Sequence, residues 1–256
     1  MTRSDIMAHC ATDLLRASAG RPRVHGNGFI QIDLSERVRL HVWGHGAIPR
    51  QASETPVHDH TFGFTSYVLH GALENVRYQF RPDGSPTVAP EQFPVAVQPH
   101  RATVRHGEDT VLSPYGPAGV IVSFERLLHT AGSRYSMRAG EIHESVPRGP
   151  SLSVIVKNGP TLSQGGPAPT VFVPLGVEPD NAFDRYAEPE DKLWAIVELV
   201  LAEAFGARKD SEPVASHDYV TPQHCHECAL VAWRKEWHRA DAFEGEVLRR
   251  RRGSSV

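Results

Sequence analysis

With 256 residues, a net charge of −3 and charged residues at 22%, the chain has an ordinary globular composition and gives no reason to expect nucleic acid as a partner. No stretch reaches the ~18 consecutive apolar residues of a membrane span, and Asp5, His9 and Asp13 spoil residues 1–20 as a signal-peptide core. Three cysteines are too few for a disulfide framework, so a cytoplasmic protein with no membrane partner is expected.

Twenty prolines and 21 glycines favour turns and short strands over a helical bundle. Residues 4–19 predict a helix, with Ile6, Cys10, Leu14 and Leu15 at helical spacing. From Phe29 the period changes to two, and residues 29–33 and 38–43 alternate as strands do. Further strands are predicted at 65–69, 73–80, 119–124, 134–137, 152–157 and 170–173. Turn clusters separate them at Arg81-Pro82-Asp83-Gly84, Asn158-Gly159-Pro160 and Gly165-Gly166-Pro167. Residues 81–118 read as a proline-rich long-loop insertion with one or two strands, 94–97 for example. Many short strands at this spacing predict a sandwich or barrel.

After Pro179 a helix is predicted over 188–205. Leu193, Trp194, Val197 and Leu201 lie on its apolar face, with Glu188, Glu190 and Asp191 at its start and Gly206 at its end. A second helix is predicted from Thr221-Pro222 through Trp233 and Trp237. The expected organisation is an N-terminal helix (1–20), a β-rich unit (21–178), a C-terminal helical hairpin (179–250) and a solvated tail (251–256) that takes up the end of the run Arg249-Arg250-Arg251-Arg252. The hairpin packs either on the β-unit or on a second copy of the chain, so a homodimer is one expected assembly.

The chemistry concentrates at His58-Asp59-His60. Two histidines two apart on an extended backbone point to one side and reach one metal ion. Downstream, Gly140-Glu141-Ile142-His143 offers a third imidazole. Imidazole suits Fe(II), Mn, Ni, Cu and Zn alike. Glu141 shares parity with His143 and is a candidate fourth ligand or general base, whereas an exposed rim position is its ordinary role. Tyr67 is a candidate proton donor, and Arg77 and Arg138 are candidate clamps for a carboxylate, against packing or solvation as the common fate of such residues. His70 lies six residues beyond Phe64 on one predicted strand, roughly 20 Å away, and is set aside as a ligand.

These residues resemble the cupin superfamily. Its first motif runs Gly, five residues, His-x-His, three or four residues, Glu, six residues, Gly; here His58, His60 and Gly71 stand at those spacings. Its second motif is met by Gly132, Gly140 and His143, with Arg138 in place of Pro and Pro147 in place of Asn. The resemblance covers residues 29–173 and implies a mainly β fold, a jelly-roll barrel holding one divalent metal through His58, His60 and His143. It departs from the family at the motif Glu, which falls at Phe64 or Thr65. A three-histidine site with an open face resembles that of the thiol dioxygenases within the family, which implies a mononuclear Fe(II) dioxygenase acting on a small polar molecule. A non-catalytic small-molecule-binding or sensing cupin, and a Zn or Mn isomerase or lyase, stand as alternatives.

A second cluster is His224-Cys225-His226-Glu227-Cys228. Cys225 and Cys228 near a helix start read first as small buried residues. They read second as part of a zinc site with His224, to which His9 and Cys10 would add if the chain ends met, and third as a redox pair.

Overall fold

A computed structural model describes residues 3–44, 48–51, 56–82, 94–104, 110–158 and 168–207. In chain order these form α1 (Arg3–Ser18), β1 (Arg23–His25), β2 (Phe29–Asp33), β3 (Val38–Trp43), β4 (Gly63–His70), β5 (Ala72–Arg81), β6 (Val95–Val104), β7 (Thr110–Pro114), β8 (Gly119–Thr130), β9 (Arg134–Met137), β10 (Ile142–Pro147), β11 (Ser151–Asn158), β12 (Thr170–Pro174) and α2 (Glu190–Ala207). The second helix of the predicted hairpin, the His224/Cys225/Cys228 cluster and the arginine-rich tail lie outside the described residues. No helix among the described residues is long and apolar enough to cross a membrane.

The protein is mainly β. One sheet has the order β1-β2-β3-β11-β4-β9; the other runs β10-β5-β8-β6-β12, with β7 on β6. Every ladder is antiparallel. Among the described residues the two sheets do not join into a closed barrel. Three of the predicted strands (29–33, 38–43, 134–137) match in full, while β8 runs on to Thr130 because its ladder with β5 continues past the apolar run. Pattern reading missed β1 and set no bounds for β7 or β10. Only three residues long, β1 is too short to show a period, and β10 carries Glu144 and Ser145 in place of an apolar face.

The first sheet is covered on both sides. Over one face lie α1 and α2. Ala11 and Leu15 of α1 and Trp194, Val197 and Leu201 of α2 share a core with Ile30, Ile32, Leu40 and Val42. The spacing of the α2 residues is what gives the helix a continuous buried stripe. Its start is fixed by Glu188, which pairs with Lys192, and by Glu190, whose Oε1 accepts the Trp194 indole N–H at 3.0 Å. Burying each large side chain here stabilises the fold by about 1.5–3 kcal/mol.

Alternation along the same strands turns Phe29, Gln31, His41, Trp43 and Ile155 to the opposite face, where they line a cavity. The β4–β5 turn sits at Gly71 with φ +70°, a left-handed conformation, and a Cβ there would collide with the Pro150 carbonyl. One extended segment links the edge strands of the second sheet. His58 exchanges both backbone hydrogen bonds with His143, while Val57 O accepts Phe172 N and Asp59 N donates to Thr170 O. This stitching places the histidine segment at the cavity.

Candidate metal centre

Backbone geometry brings the three predicted histidines together. His58 and His143 face one another across an isolated antiparallel bridge, and His60 follows on the same side as His58. Gly140, three residues before His143, takes φ +77° and donates its N–H to His60 O at 2.8 Å, so the turn before His143 is tied to the other ligand segment. Ring centroids lie 4.6 Å apart for His58–His60, 4.7 Å for His58–His143 and 5.2 Å for His60–His143. One nitrogen from each ring falls within 4.8 Å of the others, a group that could hold a metal ion.

Hydrogen bonds decide which nitrogens face inward. His143 Nδ1 donates to Asn75 Oδ1 at 3.1 Å, and its buried Nε2 has no hydrogen-bond partner. His58 Nδ1 donates to Pro56 O at 2.8 Å, and its Nε2 lies 3.1 Å from His60 Nε2 and 3.4 Å from the Asn27 amide nitrogen, which can donate to it. Second-partner hydrogen bonds of this kind orient metal-ligating imidazoles and expose one lone pair. Two nitrogens about 2.1 Å from one cation and near a right angle to each other lie about 3 Å apart, the spacing seen here. Burial pushes the His58, His60 and His143 pKa values down, most for the last two, so all three stay neutral and keep the lone pairs a metal needs. The residues present fit a divalent cation.

Where the resemblance expects a glutamate, Phe64 lies against the cluster. Its ring centroid is 5.1 Å from that of His60 and 5.9 Å from that of His143. Thr65, the alternative position, hydrogen-bonds Ser136 instead.

The histidines open into a cavity of about 270 Å³. Phe29, Trp43, Phe62, Phe64 and Tyr135 form its apolar walls, and Arg23, Arg39 and Arg185 bring cations to it. His25 and His41 also line it, held well below the ordinary histidine pKa, first by burial and then by nearby positive charge. Tyr135 is kept protonated by burial, partly offset by the hydroxyls of Ser66 and Ser145.

Other predicted site residues lie elsewhere. Tyr67 pairs with Val154, whose side chain packs beneath the helices, so it faces away from the imidazoles. Tyr135, paired with Ser66 on the inner face, takes the place expected for a cavity tyrosine, a position that parity with Met137 and Phe64 would have flagged. Arg77, Arg138 and Glu141 do converge, but in a separate shallow cavity. There Arg77 pairs with Glu125 at 3.0 Å, and Glu141 Oε2 accepts the Arg138 backbone N–H at 2.8 Å. Glu141 is not in the histidine group. His70 pairs with Glu203 at 3.7 Å, away from that group.

No protein-family model matches the chain, and no curated protein is similar to it. Among solved structures it is similar to a hydroquinone 1,2-dioxygenase from Sphingomonas sp. TTNP3 with 4-hydroxybenzoate bound (9% identity, TM-score 0.27). It is also similar to the hydroquinone 1,2-dioxygenase PnpCD in complex with Cd2+ and 4-hydroxybenzonitrile (14% identity, TM-score 0.25). The overlap covers 50% of this chain and 63% and 62% of those chains. At that level of overlap the site is read from its own residues.

Proposed function

We propose that the chain is a metal-dependent enzyme of the cupin type, a mononuclear Fe(II) dioxygenase acting on a small molecule. His58, His60 and His143 would hold the metal. The observation that carries this reading is the buried, unpartnered Nε2 of His143, facing two further imidazole nitrogens while Asn75 fixes its other nitrogen. A divalent metal bound there supplies Lewis acidity and, as Fe(II), a centre for dioxygen chemistry. Beside it, Phe62 and Phe64 would exclude water, Asn75 and the Pro56 carbonyl would hold the imidazole tautomers, and Tyr135 keeps a phenolic proton at the cavity wall. No nucleic-acid or membrane partner and a cytoplasmic setting belong to the same reading, as does the option of a homodimer.

Elemental analysis of purified protein tests the metal. Near-stoichiometric iron that disappears in His60→Ala and in His143→Ala supports the site, and a metal content indifferent to both substitutions refutes it. A second reading, binding or sensing without turnover, is favoured by Phe64 in place of a carboxylate, which leaves no acid in the histidine group. Oxygen uptake by iron-loaded protein across a panel of small phenols and thiols separates the two. A preparation that carries zinc or manganese instead points to isomerase or lyase chemistry.

A further inference from the structure

One wall of the cavity carries more positive charge than the described carboxylates answer. Arg23, Arg39 and Arg185 all line it. Asp33 is shared between Arg23 at 2.6 Å and Arg39 at 3.0 Å. Burial raises the Asp33 pKa, but Arg23 and then Arg39 outweigh it and hold the carboxyl below its usual range. Arg185 has no carboxylate partner among the described residues; its Nε donates to Val24 O at 3.4 Å. Among the described residues three guanidiniums face one carboxylate here, an excess of two positive charges. Burial, with repulsion from Arg23 and Arg39, pushes Arg185 down to about 10. Among the described residues Asp59 is the acid that lines the cavity, and it accepts the Thr170 N–H at 2.6 Å, beside the imidazoles.

Arg39 and Arg23 emerge from β3 and β1, and Arg185 comes from the segment before α2, anchored because its carbonyl accepts the Val24 N–H. Such a site stands ready for an anion. A buried cation without a counter-charge is costly, and a planar guanidinium pairs a carboxylate through two parallel hydrogen bonds. Phe29, stacked on His25 at 4.4 Å and tilted against His41 at 4.5 Å, and Trp43 add apolar wall to the same cavity. A cavity of about 270 Å³ holds one small molecule.

We propose that Arg185, with Arg39 and Arg23, forms the subsite for the carboxylate of a small organic acid whose apolar body lies along Phe29 and Trp43 towards the three histidines. This rests on the metal reading only for where the body points; the anion contact stands without it. Calorimetric titration of the full chain, metal-loaded and metal-free, tests it with benzoate, phenylacetate and cyclohexanecarboxylate against the matching neutral amides, and with phenyl phosphate as a second anion. Each carboxylate should bind at least about tenfold more tightly than its amide in both states, and Arg185→Gln should remove that preference by about tenfold or more. Arg185→Lys should restore part of it, with metal content unchanged in both variants. His60→Ala should lose the metal but keep the preference, which separates failure of the metal reading from failure of this one. Equal affinity for acids and amides, an unchanged carboxylate Kd in Arg185→Gln, or no saturable carboxylate binding below about 1 mM overturns the proposal. Tighter binding of phenyl phosphate than of any carboxylate overturns the carboxylate assignment.

Discussion

The two faces of the first sheet are built from alternate residues of the same strands, yet they do opposite things. Ile30, Ile32, Leu40 and Val42 point at the helices and form an apolar core, whereas Gln31, Arg39 and His41 point into the cavity. The apolar face stabilises the fold by burial. The polar face spends some of that stability, since it holds neutral imidazoles, clustered guanidiniums and unpartnered polar atoms such as His41 Nε2 and Ser153 Oγ. Core packing and clustered positive charge are thus divided across one sheet, one residue apart, and substitutions on the two faces should separate cleanly.

The largest effect is expected on the helix side. Trp194 is almost fully buried between the helices and the sheet. Trp194→Ala should cost about 3–5 kcal/mol in denaturant unfolding. The metal bound per folded chain should be unchanged, and a drop in metal stoichiometry in the folded fraction would break the division.

On the cavity side, Asn75→Leu removes the acceptor that fixes His143. Metal affinity should fall about 10–100-fold, measured by competition with a chelator. An unaffected affinity would mean that Asn75 does not orient the ligand.

Acid should act chiefly through the histidines that line the cavity. Burial is the largest cause holding His25, His41, His60 and His143 well below the ordinary value of 6.5. The unfolded chain protonates these rings near 6.5 while the folded chain does not, so below that pH the unfolded state binds more protons. Unfolding free energy of the metal-free protein should therefore fall with pH from about 6.5 downwards, by up to about 1.4 kcal/mol per pH unit for each imidazole, and should level off above it. Denaturant melts between about pH 7.5 and pH 5 measure this. A flat profile would mean that the imidazoles are not held neutral.

A smaller effect, of opposite sign, should come from His41→Leu. The ring is buried against Phe29 and Trp43 with Nε2 unpartnered. A similar-sized apolar side chain removes that orphan, so stability should stay level or rise by up to about 1 kcal/mol. On the other face of the same strand, Val42→Asn should lose more than 1 kcal/mol, because it buries an amide among aliphatics.

The sequence made part of this division legible. Alternation in Phe29-Ile30-Gln31-Ile32 marks a strand with two faces, but periodicity does not say whether the polar face meets water or a cavity. His58, His60 and His143 were readable because a two-residue spacing has one geometric meaning in a strand and the third histidine follows a turn glycine. Phe64 was readable by counting from Gly71, and the structure places its ring on the imidazoles. Arg185 was not readable. It lies in a stretch without period and reaches the cavity only through the Val24 contact made by tertiary folding. Tyr67 was expected to line or flank the cavity, but strand parity turns it outward and brings Tyr135 to the inner face instead.

The smallest effect is expected at Arg138, which tests whether the shallow cavity shares in the chemistry of the central one. Its side chain is exposed, and its contact with Glu141 is made through the backbone N–H, which any residue but proline supplies. Arg138→Ala should therefore shift stability by no more than about 0.5 kcal/mol and leave metal content and carboxylate binding unchanged. Arg77 beside it is tied to Glu125, so its charge is already answered within the fold, in contrast to Arg185. A loss of carboxylate binding in Arg138→Ala that exceeds the loss in Arg185→Gln would move the anion subsite to the shallow cavity. It would also end the assignment of the anion contact to the inner face of the first sheet.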